Sequence, residues 1–160
     1  MSRYRIYLDV CCLNRSLDDL SQDRVRLEAE AVLSIYSNCR EGLWLLIRSD
    51  ALDAEISRTP DSRRREQVSL ALAIAQIQVP LDPAIRQRAA YLTQLGFKSF
   101  DAVHLATAEV AADVLLTTDD RLLRRAMRYQ QQLGVKVANP VSWLISVHQD
   151  LGDLSDDDFH

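Results

Sequence analysis

The chain has 160 residues, of which 48% are hydrophobic and 26% are charged, an ordinary composition for a globular protein. That length fits one domain with a self-sufficient core, and no apolar run approaches the roughly 20 residues that a membrane-spanning helix needs. The net charge of −4 lacks the basic excess that most nucleic-acid-binding proteins show, although an aspartate-rich C-terminal segment contributes much of it.

The N-terminal residues and the cysteines bear on the cellular compartment. The first residues enter a strand-like segment at once, without the apolar stretch or cleavage site of a signal peptide, so a cytoplasmic location is expected. The three cysteines are odd in number and form no CxxC pair. We therefore expect Cys11, Cys12 and Cys39 to be reduced, buried residues rather than disulfide partners or zinc ligands.

Five segments are predicted to be strands. In residues 3–9, apolar and polar side chains alternate, and residues 43–47 form the continuous apolar run that is typical of a strand buried on both faces. Three shorter segments follow at residues 77–79, 114–117 and 135–137. In the first strand, the two alternating sets are Tyr4, Ile6 and Leu8 on one face and Arg3, Arg5 and Tyr7 on the other.

Helical patterns separate these strands. Ser99 is the expected N-cap of one helix, and Pro140 is well placed in the first turn of the last. The seven predicted helices span residues 21–40, 50–58, 62–76, 83–95, 99–112, 119–131 and 140–148. Such alternation predicts an α/β fold, a three-layer α/β/α sandwich around a central, mostly parallel, Rossmann-like sheet. Without repeats or a linker, residues 1–149 are expected to form one domain, and residues 150–160 an acidic, flexible tail.

Four acidic residues fall where such a sheet binds its ligands, beyond the carboxyl ends of the strands. Asp9 ends the first predicted strand, Asp119 follows the fourth, and Asp101 lies in the first turn of the helix before the fourth strand. Glu55 points to the apolar face of the helix after the second strand, whereas Asp53 points away from it. An acid on the buried side of a helix needs a reason, so Glu55 joins the candidate site.

Each acid also has a purely structural explanation. Asp9 could be a turn residue, Asp101 could interact with the helix macrodipole, and Asp119 or Asp120 could cap a helix. Glu55 could be half exposed. Each of these explanations concerns one acid alone. None of them explains why all four positions map independently to one edge of the sheet.

Four converging carboxylates require a cation, since their mutual repulsion would otherwise favour protonation of some of them. Ligands that are all oxygen suit Mg²⁺ or Mn²⁺ better than zinc. A cation of this kind polarises a phosphoryl oxygen and activates water near neutral pH, which indicates metal-assisted phosphodiester hydrolysis.

Three stretches of the chain resemble the PIN-domain family, the nuclease fold shared with VapC-type toxins. They are residues 7–15, YLDVCCLNR; residues 96–108, GFKSFDAVHLATA; and residues 113–122, DVLLTTDDRL. The second and third stretches, with their spacing, are the more specific. A further similarity at residues 138–140, before the closing helix, extends the resemblance over almost the whole chain to about residue 148.

The resemblance implies that Asp9, Asp101 and Asp119 are catalytic and metal-binding acids. Glu55 matches the second acid of the family less securely, because no sharp motif surrounds it. Thr117 would be a hydroxyl group beside the metal, and Asp120 could assist or replace Asp119.

Asn14, His104 and a group of arginines each have two possible interpretations. Asn14 is a candidate contact to substrate or to metal-bound water, although a turn-forming asparagine fits equally well. For His104, one turn after Asp101, a packing role or a role beside the metal ligands is favoured. Arg58 together with residues 63–65 could guide RNA phosphates, but a solvated charged loop is the favoured interpretation.

The expected function is that of a metal-dependent ribonuclease using Mg²⁺ or Mn²⁺ and acting on RNA, with a toxin role, an antitoxin partner and a homodimer as further candidates and no membrane partner. One alternative is a PIN-like RNA- or protein-binding module that has lost activity. Another is a phosphoacceptor or a haloacid-dehalogenase-like phosphatase, but the phosphatase pattern needs a second Asp where this chain has Cys11. The chain is also longer than a compact toxin of this type, with the extra length expected around residues 18–26 and 58–65. This makes the toxin role less secure than the nuclease fold.

Overall fold

A computed structural model describes the backbone of residues 3–157 and the side chains of residues 3–149. The strands are β1 (Arg5–Leu8), β2 (Leu45–Ser49), β3 (Ile77–Val79), β4 (Val114–Leu116) and β5 (Lys136–Ala138). The helices are α1 (Val10–Asn14), α2 (Asp23–Arg40), α3 (Asp50–Ser57), α4 (Ser62–Leu72), α5 (Pro83–Gln94), α6 (Ser99–Ala111), α7 (Asp120–Arg128) and α8 (Pro140–Asp157). A short 3-10 turn, Arg15–Leu17, follows α1.

The five strands form one parallel sheet in the order β3-β2-β1-β4-β5, with helices covering both faces. This arrangement confirms the predicted three-layer α/β/α sandwich. The strand order reverses between β1 and β4, where Ile6 pairs with Val114 and Leu8 with Leu116. In a sheet of this kind the reversal opens a crevice at the carboxyl ends of the two strands. Asp9 and Asp119 follow these two strands, as the sequence predicted.

Strand β1 lies at the centre of the sheet. Ile6, Tyr7 and Leu8 are all fully buried, so the prediction of a polar face that includes Tyr7 is wrong. The reason is topological, because a central parallel strand is covered by helices on both sides and has no solvent face. The hydroxyl group of Tyr7 instead lies inside the protein, where it needs hydrogen-bonding partners.

Helix α1 was not predicted from the sequence. Its five residues are too few for apolar periodicity to be visible, and the helix depends on Asp9, whose carboxylate caps the Val10 amide. The predicted N-cap of α6 is also wrong by one residue, because α6 begins at Ser99 and its N-cap is Lys98, which makes no side-chain capping bond.

The last helix continues beyond the predicted end at residue 148. The backbone of α8 is helical to Asp157, so the helix enters the segment that was predicted to be a flexible tail. The side chains from Asp150 onward and the backbone of residues 158–160 lie outside the described residues. The division into residues 1–149 and 150–160 stays a prediction.

The two segments in which extra length was predicted contact each other. Arg64 in α4 donates from Nη1 to Asp18 at 2.9 Å and from Nη2 to the Leu17 carbonyl at 3.0 Å. Arg65 donates to the Thr59 carbonyl at 2.8 Å. The arginines at residues 63–65 lie in the first turns of α4, so the prediction of a solvated charged loop is wrong. The protein itself engages two of the three, which favours a structural role over phosphate binding.

All three cysteines are free, as predicted. Cys12 and Cys39 are buried, while Cys11 is half-buried. Within residues 3–157, every helix is too short or too polar to cross a membrane.

Candidate active site

Asp9 and Thr117 join the ends of the two central strands. The Asp9 amide donates to the Leu116 carbonyl at 3.0 Å, which places the Asp9 side chain at the crevice. That side chain is buried, with its Oδ1 accepting from the Val10 amide at 2.8 Å and its Oδ2 accepting from the Thr117 hydroxyl at 3.0 Å. Thr117 Oγ1 also accepts from the Asp119 amide at 3.1 Å. One hydroxyl group therefore fixes the positions of two candidate acids.

Asp119 serves as the N-cap of α7. Its Oδ1 accepts from the amides of Arg121 at 2.9 Å and Leu122 at 3.3 Å. The capping role and a metal-binding role are compatible, because a carboxylate has a second oxygen. Asp120 is exposed and accepts from Arg24 at 2.6 Å and 2.8 Å, so its carboxylate is held by an arginine at the surface.

Glu55 lies at the end of a buried chain of hydrogen bonds. Its Oε2 is 2.9 Å from His104 Nε2, and His104 Nδ1 is 2.6 Å from the Tyr7 hydroxyl. The Tyr7 hydroxyl is 2.8 Å from Ser49 Oγ, which accepts from the Leu52 amide as the N-cap of α3. The chain therefore connects the centre of the sheet to the helix that carries Glu55.

Asp53 has a different environment. It accepts from Arg48 Nε at 2.9 Å, and both side chains are more than one-third exposed. The helix α3 therefore turns Glu55 toward the interior and Asp53 toward solvent, which is the arrangement that the apolar face of the helix predicted.

Burial and charge act in opposite directions on His104. Burial lowers its pKa, but the hydrogen bond to Glu55 and the charges of Asp9, Glu55 and Asp101 outweigh burial and leave the pKa raised. When protonated at both ring nitrogens, His104 donates from Nε2 to Glu55 and from Nδ1 to Tyr7. Tyr7 then donates to Ser49, so each hydrogen bond in the chain has one donor and one acceptor.

Asp101 in α6 shows the electrostatic effect of the converging acids. Burial, together with the charges of Asp9, Asp119 and Glu55, raises its pKa to about 6. Burial also raises the pKa of Asp9, and the charge of Glu55 adds to that effect while His104 opposes it. The four predicted acids thus lie within electrostatic range of one another and repel, as expected of a carboxylate cluster without a cation.

The tightest group of ligand atoms differs from the predicted set. Asp9, Glu55 and His104 each provide one potential ligand atom, a carboxylate oxygen or a ring nitrogen. These three atoms lie within 4.8 Å of one another, a spacing that could hold a metal ion. Asp101 and Asp119 are half-buried and lie outside this group, but the charges of Asp9, Glu55 and Asp119 act on Asp101. For His104 the sequence favours a packing role or a role beside the metal ligands. Both of its ring nitrogens have hydrogen-bond partners, Glu55 at Nε2 and Tyr7 at Nδ1, so direct ligation of a metal would require one of these bonds to break.

Asn14 ends helix α1, five residues after Asp9. Its side-chain Oδ1 is buried and has no hydrogen-bond partner within the described part of the chain. A buried acceptor of this kind normally has a partner, which makes Asn14 suitable for a water or a hydroxyl group of a ligand.

Arg58 follows α3 and lies at the rim of the site. Its guanidinium is 5.2 Å from the centre of the Phe100 ring, and that ring stacks on His104 with centres 6.2 Å apart. Among the arginines predicted as candidate guides for RNA, Arg58 is therefore the one that contacts Phe100, the aromatic neighbour of His104.

A buried acid that the sequence analysis missed supports the loop after β4. Glu28 in α2 is 2% exposed and bonds to Arg15 at 2.8 Å, Arg24 at 3.4 Å and Asn139 at 2.7 Å. Arg24 also bonds to the Thr118 carbonyl at 3.3 Å, in addition to its pair with Asp120. Glu28 therefore anchors an arginine that holds the residues on both sides of Asp119.

The position of Cys11 beside Asp9 and Thr117 was not predicted from the sequence either. Its sulfur lies 3.3 Å from Thr117 Oγ1 and 3.5 Å from Asp9 Oδ2, and it accepts from the Thr118 amide at 3.3 Å. The thiol occupies the position at which the phosphatase alternative would need a second aspartate, so the structure offers no such carboxylate there.

Comparisons with solved structures identify the fold. FitAcB from Neisseria gonorrhoeae is 18% identical to this chain with a TM-score of 0.52, and the match covers 84% of this chain and 97% of that one. VapBC2 from Rickettsia felis, bound to a DNA fragment from its promoter, is 10% identical with a TM-score of 0.52, covering 84% and 98%. FitAB bound to an IR36 DNA fragment is 20% identical with a TM-score of 0.51, covering 85% and 95%.

The chain has a PIN-like fold. The resemblance read from the sequence is thereby confirmed at the level of the fold. No family model matches the sequence, and no curated protein is significantly similar to it. The PIN-like sheet explains why the acids meet, since β1 and β4 bring Asp9 and Asp119 together while α3 and α6 bring Glu55 and Asp101 to the same edge.

Proposed function

We propose that this chain is a metal-dependent ribonuclease that hydrolyses RNA phosphodiester bonds at the cluster of Asp9, Glu55, Asp101 and Asp119. The observation that carries this proposal is the grouping of ligand atoms at the carboxyl ends of β1 and β4, where Asp9, Glu55 and His104 each place one atom within 4.8 Å of the others. The raised pKa of Asp101, about 6, agrees with it, since burial and three neighbouring carboxylates are among its causes. A protein that kept these acids only as helix caps would have no reason to bring all four within electrostatic range. The PIN-like fold adds support, because it is the fold of known toxin–antitoxin nucleases.

The donor set fits a hard divalent cation. Four carboxylates offer oxygen ligands, and the mutual repulsion that raises the pKa of Asp101 would be relieved by a cation between them. Asp9 is already held in one orientation by Thr117 and Val10, so it would lose little freedom on binding an ion. We therefore propose Mg²⁺ or Mn²⁺ as the cofactor.

The residues of the site have different roles in the proposed reaction. A divalent cation, when bound, supplies positive charge to a phosphoryl oxygen and lowers the pKa of water. Asp9, Glu55, Asp101 and Asp119 would hold the cation, and Thr117 fixes Asp9 and Asp119. His104 holds Glu55 through the 2.9 Å hydrogen bond and keeps its carboxylate at the crevice. Asn14 offers its unpartnered Oδ1 to a water or a ribose hydroxyl group.

We also infer that the protein acts as the toxin of a toxin–antitoxin pair. FitAB and VapBC2, which share its fold, are complexes of this class. An antitoxin and a second copy of this chain are accordingly the proposed protein partners. Copurification with the product of a neighbouring gene would support the antitoxin assignment.

The proposed function predicts cleavage that depends on added metal. Purified protein incubated with a mixture of structured RNAs should cleave them in Mg²⁺ or Mn²⁺. In EDTA the cleavage rate should be at least about a hundredfold lower, because the carboxylates then repel the phosphate. DNA oligonucleotides of the same sequences serve as the matched substrates. Equal rates with and without EDTA would overturn the metal requirement, and equal cleavage of RNA and DNA would overturn the substrate assignment.

A second prediction separates the two acids of α3. Glu55→Gln should reduce divalent-dependent cleavage by on the order of a hundredfold while keeping the fold, because Gln cannot supply the negative charge at the crevice. Asp53→Asn should behave nearly as wild type, since its pair with Arg48 is at the surface and contributes little. Cleavage rates and thermal melts of both variants provide the measurement. Equal effects of the two substitutions, or the reverse order, would show that the helical-face argument is wrong.

A further inference from the structure

Helix α7 carries a line of exposed arginines, which we call the α7 arginine stripe. The spacing of three and four residues places them along one side of the helix, while Leu122 and Ala126 are buried on the other. The members of the stripe are Arg121, Arg124, Arg125 and Arg128. They line a shallow cleft of about 270 Å³.

The stripe makes no ion pair within the described residues, although Arg124 lies close enough to Asp120 for their charges to interact. Within the part of the chain that the structure describes, no carboxylate lies within salt-bridge distance of these four guanidinium groups. Other arginines of the protein, such as Arg15, Arg24 and Arg88, do have carboxylate partners. On a protein of net charge −4, the stripe is thus a local surface of opposite sign.

Helix electrostatics explain only part of this pattern. Arg125 and Arg128 lie in the last turn, where positive charge interacts favourably with the macrodipole. Arg121 lies in the first turn, where the macrodipole disfavours it, and Arg124 lies near the middle. The stripe therefore extends past the region in which arginine stabilises the helix.

The stripe borders the candidate site at two places. Asp119 caps the N-terminus of α7 and accepts from the Arg121 amide at 2.9 Å. Arg125 Nη1 donates to the Leu95 carbonyl at 3.3 Å, in the turn that leads to α6 and Asp101. Gly96 in that turn has a φ of +103°, and a Cβ there would collide with the Arg125 guanidinium. Arg125 is thereby packed against one border of the site.

We propose that the α7 arginine stripe binds the phosphate backbone of the RNA strand as it leaves the site. The proposal rests on the proposed function, because it assigns a binding surface for the same substrate. Arg121 to Arg128 extends about 10 Å along the helix. A stacked strand with roughly 3.4 Å per phosphate presents about three phosphates over that length. Guanidinium groups bind phosphate oxygens in pairs, which suits a surface that reads charge rather than sequence.

Binding without catalysis tests the stripe separately from the proposed function. The probe is a fluorescein-labelled single-stranded oligoribonucleotide in EDTA, followed by anisotropy over a salt series. The triple variant Arg121→Gln, Arg124→Gln and Arg128→Gln leaves the packed Arg125 in place. Affinity should fall at least about tenfold, and the slope of log affinity against log salt should fall by about 2, or roughly 0.7 for each lost phosphate contact.

The matched control removes three positive charges outside α7, at the exposed residues Arg3, Arg40 and Arg86, none of which lines the cleft of the stripe. The variant Arg3→Gln, Arg40→Gln and Arg86→Gln should bind RNA nearly as wild type. Equal losses in the two triple variants would overturn the proposal, because net charge alone would then explain binding, and so would an unchanged affinity of the stripe variant. If the triple stripe variant melts early, Arg124→Glu alone should reproduce the loss.

Polyglutamate of matched charge distinguishes nucleic acid from an acidic protein partner. It should compete poorly with the RNA probe, because its carboxylates lie on a flexible chain without the regular spacing of phosphates along a stacked strand. Equal competition would overturn the RNA assignment in favour of an acidic protein segment. Loss of RNA cleavage together with intact, stripe-dependent binding would count against the nuclease function alone.

Discussion

Asp9→Asn, Asp101→Asn and Asp119→Asn are each expected to abolish divalent-dependent RNA cleavage without lowering the melting temperature in metal-free buffer. Each substitution removes one negative charge from the site, and we expect a loss on the order of a thousandfold. The fold should persist, because Asp9 and Asp119 also cap helices α1 and α7, and Asn caps a helix about as well as Asp does.

The Asp101 variant has a further signature in its pH dependence. The ordinary carboxyl pKa of 3.8 is raised to about 6 in the folded, metal-free protein, so the native state binds more protons than the unfolded state between these values. The free energy of unfolding should therefore fall as pH rises from about 4 to about 6. Asp101→Asn should remove that slope and, since the carboxylate is partly exposed and screened, stabilise the protein by only about 1 kcal/mol at neutral pH.

Thermal melts in EDTA and cleavage assays in Mn²⁺ measure these effects on the same preparations. Asp23→Asn is the matched control, because Asp23 is an exposed acid in the first turn of α2. Cleavage that survives in all three site variants would show that the nuclease uses another site. Unfolding of all three would show that these aspartates are structural caps.

Glu28→Ala is expected to destabilise the protein by about 3 kcal/mol, the largest stability effect we expect from a single substitution. The side chain is 2% exposed and bonds to Arg15, Arg24 and Asn139, so its removal leaves two guanidinium groups and an amide without their acceptor. Breaking a buried ion pair costs about 3–5 kcal/mol. Because Arg24 is half exposed and regains water, we place the expected effect at the lower end of that range.

Chemical denaturation of Glu28→Ala and Glu30→Ala measures this contribution. Glu30 lies on the same helix but is exposed, so its removal should change the free energy of unfolding by less than about 0.5 kcal/mol. Similar values for the two variants would contradict the assignment of Glu28 as an anchor. Glu28→Gln should fall between them, since it keeps the shape and part of the hydrogen bonding.

The sequence predicted all five strands and seven of the eight helices because these carry their own periodic signal. Strand β2 shows a continuous apolar run, and α3 an apolar face that points Glu55 inward. Helix α1 has no such signal, because it is a single turn that depends on the Asp9 cap. The burial of Tyr7 likewise could not be predicted from the sequence. It follows from the central position of β1 in the sheet and not from the neighbouring residues in the chain.

The acids could be assigned because they follow strand ends or lie on a helix face. Glu28 carried the same signal as Glu55, since it lies on the face that Val25 and Val32 bury, but no motif drew attention to it. The partners of these acids could not be predicted. Tyr7 and His104 are 97 residues apart, and their contact exists only once the sheet and α6 have packed.

The pairing of β1 with β4 also has a consequence for synthesis of the protein. The hydrogen bond between Thr117 and Asp9 joins residues 108 positions apart, so the central crevice closes only after most of the chain exists. Chains emerge from the ribosome N-terminal end first, and pairings so distant in sequence form late. A nascent chain that ends before β4 contains Asp9 and Glu55 but neither Asp119 nor the strand that positions it. The proposed metal site would thus be assembled only near the end of synthesis.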